Sequence, residues 1–301
     1  MKRKWFPIIT GLAVLLFSAF FIFQHVSALE DQELHALSGD GSELSHQPQV
    51  VYLVPHADDE LLSMGVDIVN HIRLRYDVHL VLMSPGGHSR ARFLINGFKD
   101  SDQEPFLFKT PVYCPLHKRY HDPEKEHYHD LYLTVDDLGE ARVREFKESA
   151  KLLGIPDDHV HVYDLENDRF QEQEQEIRDI MDELLQRFPD AQFRTMSIQD
   201  YHPDHRMLGK VLSEFEEEGK IQGEKTLYFL SIYKTRFTKY KPSQKEYTMK
   251  LLVPQDLKKI KRAVQIYGKW DPKNGWYQIG YHSVKSQFLQ LMQNAKNTYH
   301  Y

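Results

Sequence analysis

Two short segments concentrate the chemistry of this chain. Pro55-His56-Ala57-Asp58-Asp59-Glu60 follows an apolar run, and His202-Pro203-Asp204-His205 lies far downstream. Together they offer two or three imidazoles and several carboxylates, at two points where a strand hands over to a helix. A catalytic zinc site needs three protein nitrogen or oxygen ligands, an open position for water and a nearby group to take a proton. The two segments supply that set without the one cysteine, and the pattern reads as a metal-dependent hydrolase. Each segment alone has a plainer reading. Asp58, Asp59 and Glu60 could cap a helix and complement its dipole. His202 and His205 could be surface residues with Asp204 as a cap, and Pro203 holds His202 extended. Capping accounts for one acid or two, but not for a histidine directly ahead of them. Two such segments, both at strand ends, favour a shared metal.

The elements that must position these residues follow from hydrophobic spacing. Val50 to Val54 is a continuous apolar run, as in a strand covered on both faces. Asp58 to Tyr76 has helical spacing through Leu61, Leu62, Val66, Ile68, Val69 and Ile72, and Val78 to Met83 is a second apolar strand. This β-α-β order predicts a Rossmann-like α/β fold, with a mostly parallel sheet and helices on both faces. Ligands in such sheets bind beyond the carboxyl ends of the strands, where His56 falls. Residues 84–138 interrupt the rhythm with Gly86-Gly87 and a stretch rich in His, Tyr, Phe and Pro. A connection of that length reads as a functional substrate loop. Regularity then returns as helix 139–153, strand 160–163, helix 171–187, strand 193–198, a loop and helix over 202–218 and strand 227–233. Helices over 255–267 and 284–293 flank an irregular aromatic stretch in the tail.

Composition sets the outer limits. The 301 residues suffice for one large α/β domain or two small ones, and the net charge of −6 argues against binding nucleic acid through its phosphates. Cys114 is alone, which excludes an intramolecular disulfide and metal sites of the usual multi-thiolate kind. Met1-Lys2-Arg3-Lys4 is basic, Trp5 to Phe23 is almost wholly apolar, and Val26-Ser27-Ala28 has the small residues of a cleavage site. Residues 1–28 therefore read as a signal peptide or an N-terminal membrane anchor. As a helix, Ile8 to Phe23 would span roughly 24 Å, short of a hydrocarbon core of roughly 30 Å. A polar linker, 29–48, then leads to a catalytic domain over 49–301. Either form of the leader exports the rest of the chain, and contact with a membrane is expected only through that segment.

From about Val50 to Gly209 the chain resembles the PIG-L or LmbE-like de-N-acetylases. Pro55 to Glu60 matches that family's first motif, with Ala57 where proline is commoner, and His202 to His205 matches the second in full. Arg142, Glu145 and Leu153-Gly154 fit the helix after its first substrate loop. The resemblance implies that His56, Asp59 and His205 ligate Zn2+, or another divalent transition metal, and that Asp58 is the general base. It implies that His202, oriented by Asp204, stabilises the oxyanion or protonates the leaving amine. Gly86, Gly87 and His88 would line the substrate site, and Arg142 would be a substrate or structural arginine. His117, His121, His127 and His129 form a second group inside the long loop, read as a solvated segment more readily than as a metal site. Tyr113, Tyr120, Tyr128 and Tyr132, with Trp270, Trp276 and Tyr277 in the tail, could stack on sugar rings or pack as core.

The expected protein is thus an exported zinc N-deacetylase whose partner is an N-acetylated amino-sugar substrate of the cell envelope or a glycoconjugate. Two alternatives stay open. One is an amidohydrolase for a non-sugar N-acyl substrate, and the other a glycan-binding protein that kept the fold without catalysis.

Overall fold

Val50, Tyr52 and Val54 pack into one buried cluster, Val51 and Leu53 into another, and none of the five is more than 1 % exposed. A strand apolar on both sides must be covered on both sides, and the rest of the chain does so. The computed structural model describes residues 47–101, 109–232 and 244–301. The leader and nearly all of the linker lie outside the described residues.

Strand β1 (Gln49–His56) is followed by helices α1 (Asp59–Leu62) and α2 (Gly65–Arg73) and by β2 (Asp77–Ser84). The long connection contains α3 (Ala91–Asn96) and the short strands β3 (Phe98–Lys99), β4 (Thr110–Pro111), β5 (Tyr113–Cys114) and β6 (Arg119–Tyr120). Next come α4 (Val135–Leu153), β7 (Val160–Val162), α5 (Glu174–Arg187), β8 (Gln192–Met196), α6 (Pro203–Glu217) and β9 (Thr226–Leu230). The tail supplies β10 (Tyr247–Lys250), α7 (Leu257–Tyr267), β11 (Trp270–Asp271), β12 (Trp276–Tyr277), α8 (Ile279–Gln293) and β13 (Lys296–His300).

The central sheet runs β10-β13-β9-β8-β1-β2-β7. From β9 to β7 all neighbours are parallel, and β13 and β10 add an antiparallel edge. This is the mostly parallel α/β sheet that the sequence predicts. Phe146 of α4, Val264 of α7 and Phe288 of α8 cover one face together with α2. Met181 of α5 and Leu212 and Phe215 of α6 cover the other. Strand order reverses at β1, which has β2 on one side and β8 on the other. The loops leaving β1, β2 and β8 therefore diverge around a crevice at the carboxyl edge. Among the described residues no helix is long and apolar enough to cross a membrane.

Several boundaries differ from expectation; the expected helix 284–293, for instance, begins at Ile279, and the expected helix 171–187 at Glu174. Helix α4 starts at Val135 because Thr134 and Asp137 form a reciprocal capping box: Thr134 Oγ1 accepts from Asp137 N at 3.1 Å, and Asp137 Oδ2 accepts from Thr134 N at 2.9 Å. The helical pattern after β1 breaks at Ser63-Met64 into two helices. Strand β9 ends at Leu230, short of the expected residue 233, which lies outside the described residues.

The tail is part of the core. Asn297 of β13, 1 % exposed, accepts from Val66 N at 2.9 Å and from Asp67 N at 3.0 Å, so it caps the first turn of α2 from the far end of the chain. Asn297→Ala should leave two buried amides unbonded and lower stability by about 2–4 kcal/mol, read by chemical denaturation. A loss under about 0.5 kcal/mol would mean that α2 does not depend on this cap.

Candidate active site

His56 ends β1 and Asp59 opens α1, so the chain must turn within two residues. Asp58 makes that turn at φ 126°, a backbone region that non-glycine residues avoid. Buried neighbours hold it there. Glu60 Oε2 accepts from Asp58 N at 3.0 Å, and Arg142 Nη2 donates to the Ala57 carbonyl at 2.7 Å. Glu60 also accepts from Ser149 Oγ and Tyr267 Oη, and burial pushes its carboxyl up to about 8. On the other side of the crevice, Pro203 takes the first position of α6 with His202 as its cap. Asp58 makes no side-chain capping bond to α1, so helix capping does not explain its presence.

The two motifs meet. Asp59 Oδ2 lies 3.4 Å from His56 Nδ1 and 3.0 Å from His205 Nε2. Behind each ring stands a further acid: His56 Nε2 is 2.9 Å from Asp204 Oδ2, and His205 Nδ1 is 3.2 Å from Asp200 Oδ1. A carboxylate behind the outer nitrogen keeps the proton there and turns the inner lone pair toward the centre. Asp59 is 1 % exposed, yet among the described residues neither of its carboxylate oxygens has a hydrogen-bond partner. A buried carboxylate left so costs several kcal/mol, and a divalent cation between it and the two imidazoles removes that cost. These residues fit a metal.

His202 also brings a ring nitrogen within 4.8 Å of the His56 and His205 nitrogens. Its own nitrogens are engaged, however. Nδ1 accepts from Asp204 N at 3.3 Å, and Nε2 sits 3.4 Å from Asp168 Oδ1. Asp59 has no such partner, which makes it the better third ligand. The charges agree. Burial disfavours ionised imidazole at His56 and His205, but Asp204 and Asp59 at the first, and Asp59 and Asp200 at the second, outweigh it and raise both. Burial would raise Asp59 too, yet His205 and His56 hold it well below the carboxylate range. Asp58 goes the other way. Burial, aided by the Asp59 charge, lifts it to about 7 against the pull of Arg142 at 3.8 Å.

Some expected roles move. The Asp204 carboxylate serves His56 and accepts from Asp168 N and Phe170 N, so Asp168, not Asp204, faces the outer edge of the His202 ring. Gly86, His88 and Arg142 line the crevice of about 390 Å³, but Gly87 does not. Its place is structural, since a Cβ there would lie 2.3 Å from the Val135 carbonyl oxygen. Arg142 is buried against Ala57 and Asp58 and positions the turn. Of the loop histidines, His117 and His121 come together, whereas His127 and His129 are exposed. The loop tyrosines and tail tryptophans do not reach the crevice: Tyr128 and Tyr277 are buried in a local core, and Tyr113 packs edge-on against Tyr120 at the surface. Asp168 and Asp200 were not singled out in the sequence. Asp200, two residues before His202 in the same strand-to-helix loop, carried a usable signal, whereas Asp168 sits in an irregular turn at φ 66°.

With this geometry in place, the comparisons with known proteins are clear about family. The profile of the GlcNAc-PI de-N-acetylases (PIG-L) matches residues 51–216, and the chain belongs to that family. No curated protein sequence matches it. Among solved structures, the A40926 pseudoaglycone deacetylase Dbv21 is similar at TM-score 0.55 and 12% identity, over 84% of this chain and 96% of that one. The N,N'-diacetylchitobiose deacetylase from Pyrococcus horikoshii is similar at TM-score 0.50 and 15% identity, over 88% and 85%. GalB, the 4-carboxy-2-hydroxymuconate hydratase from Pseudomonas putida, is similar at TM-score 0.50 and 14% identity, over 84% and 95%. At such identities the likeness establishes the fold, and that fold also carries a hydratase.

If the acids behind the imidazoles set the ligand lone pairs, Asp204→Asn and Asp200→Asn should each weaken metal binding roughly 10–100-fold in a chelator competition. Asp168→Asn, which touches no proposed ligand, should leave that affinity unchanged.

Proposed function

We propose that the protein is a zinc-dependent N-deacetylase that acts on an N-acetylated amino sugar outside the cytoplasm. The observation that carries this reading is the buried Asp58 carboxylate beside the Asp59, His56 and His205 cradle. Zinc held by those three residues supplies a Lewis acid for the amide carbonyl and lowers the pKa of water to about 7. Asp58, next in chain to a ligand and lining the same crevice, takes the proton as the water oxygen bonds to the carbonyl carbon. Its raised affinity for protons suits a base that must hold one and then release it toward the leaving nitrogen. His202, on the open side of the crevice, would turn its Nε2–H from Asp168, 3.4 Å away, to the oxygen where negative charge gathers. The carbon–nitrogen bond then breaks, giving acetate and a free amine.

The substrate class rests on the family and on the lining. His88, Ser89, Arg90, Asn167 and Tyr201 present polar groups around the opening, as a hydroxyl-rich ligand requires. Action outside the cytoplasm rests on the basic and apolar leader. Asp58→Asn should keep the metal and lower acetate release about 10²–10⁴-fold on N-acetylhexosamine glycans. Acetate released only from N-acyl amino acids would move the assignment to a non-sugar amidohydrolase. Cell fractionation should place the chain in the envelope or medium, and full-length protein in the cytosol would refute export.

A further inference from the structure

Cys114, His117, His121 and His282 form a group that shares no residue with the hydrolytic cradle, with one ligand atom of each lying within 4.8 Å of the others. Cys114 ends β5, His117 lies in the turn to β6, His121 follows β6, and His282 comes from the first turn of α8. His117 Nδ1 is 4.0 Å from Cys114 Sγ and 3.0 Å from His121 Nε2.

Hydrogen bonds on the outer side of each ring decide where its proton sits. His117 Nε2 is 3.0 Å from Gln278 Oε1, and that amide is fixed because its Nε2 donates to the Gly268 carbonyl at 2.7 Å. His121 Nδ1 is 3.0 Å from the Glu126 carboxylate, and His282 Nδ1 is 2.9 Å from the Gln278 carbonyl. All three partners only accept, so all three outer nitrogens carry the proton. Each neutral ring then turns a lone pair inward. Two of those lone pairs face each other across 3.0 Å, an arrangement that repels unless a cation stands by. His282 sharpens the point. It is 8 % exposed, and its Nε2 has no hydrogen-bond partner among the described residues.

We propose that Cys114, His117, His121 and His282 bind a structural zinc ion separate from the hydrolytic metal. One sulfur and three nitrogens complete a tetrahedron and leave no position for water, which is the mark of a structural site. Zinc bonds of about 2.0–2.3 Å set neighbouring ligand atoms about 3.3–3.7 Å apart, so the 4.0 Å sulfur–nitrogen pair would close slightly and the 3.0 Å nitrogen pair would open slightly. On binding, the Cys114 thiol loses its proton to solvent as the sulfur–zinc bond forms. His117 N already points at Sγ from 3.4 Å. The single positive charge left on the complex is balanced by Glu126 behind His121. Trp270 lies over the group, 4.4 Å from the His117 ring and 5.0 Å from that of His121, and shields it from water. The ion would fasten the long loop to α8, whose His282, Ser283 and Val284 form one wall of the catalytic crevice. The proposal stands whatever reaction that crevice catalyses.

Cobalt(II) is the probe, because zinc is spectroscopically silent and the hydrolytic cradle contains no sulfur. Metal-free full chain titrated with Co2+ should take up two equivalents and develop a near-ultraviolet sulfur-to-cobalt charge-transfer band. Cys114→Ser should abolish that band and one equivalent, and His282→Ala should weaken binding at this site alone. Should those variants fail to fold, the wild-type protein still decides: its zinc-loaded Cys114 should alkylate at least tenfold more slowly than after chelation. Two-cobalt protein with no sulfur band, or Cys114 equally reactive with and without zinc, would overturn the assignment.

Discussion

A buried carboxylate with no hydrogen-bond partner among the described residues governs the arrangement around it. Asp59 opens the helix just beyond the buried strand β1, with two imidazole nitrogens within 3.4 Å of one of its oxygens. Dry surroundings make that charge strongly interacting, and its neighbours are chosen accordingly. Asp204 and Asp200 stand behind the two rings and fix their tautomers, and both acids are themselves tied down by backbone amides. Such a cluster is poorly stable without a cation, so the sheet that brings β1 and β8 side by side must supply the stability elsewhere. It does so through two apolar layers that share only the central strands.

The same economy explains the strained turn at Asp58. A non-glycine residue at φ 126° costs of order 1–3 kcal/mol and persists only where its surroundings over-determine it. Here the amide is held by Glu60, the preceding carbonyl by Arg142, and the Asp58 carbonyl by the amides of Leu61 and Leu62. Arg142 in turn needs Gly86, whose φ of 74° and missing Cβ leave room for the guanidinium. A loop glycine expected to line the substrate site and a helical arginine expected to be a substrate or structural residue thus act first on the backbone that aims Asp58.

Sequence alone carried the parallel sheet and the two catalytic segments, because both depend on local signals. Val50–Val54 declares its double burial in five consecutive residues, and histidines beside acids at strand ends declare a metal. What it did not carry depends on contacts between distant residues. Nothing local to Asp204 says that its carboxylate crosses to His56, 148 positions away, and leaves His202 to Asp168. Asn297, capping a helix 231 positions upstream, is equally silent in a linear reading. The histidines of the long loop misled for the same reason: counted along the chain they are four, whereas in space two of them join a cysteine and a tail histidine.

That last grouping also bears on why the connection between β2 and α4 has a shape at all. Strands of two residues, such as β5 and β6, do not hold themselves together in water. Apolar packing contributes little there, since Tyr113 and Tyr120 are exposed. The order comes from polar side chains instead. Gln278 adopts φ 53° and from that single strained position bonds His117, Gly268 and His282 at once. Gly97 completes the fit, because a Cβ there would lie 2.0 Å from the His121 carbonyl oxygen. Both histidine clusters therefore use one device, hydrogen-bond acceptors behind the rings and lone pairs in front. They differ in what closes the remaining side: open crevice at the first, sulfur and Trp270 at the second. That difference separates a centre able to admit a substrate from one able only to hold the fold.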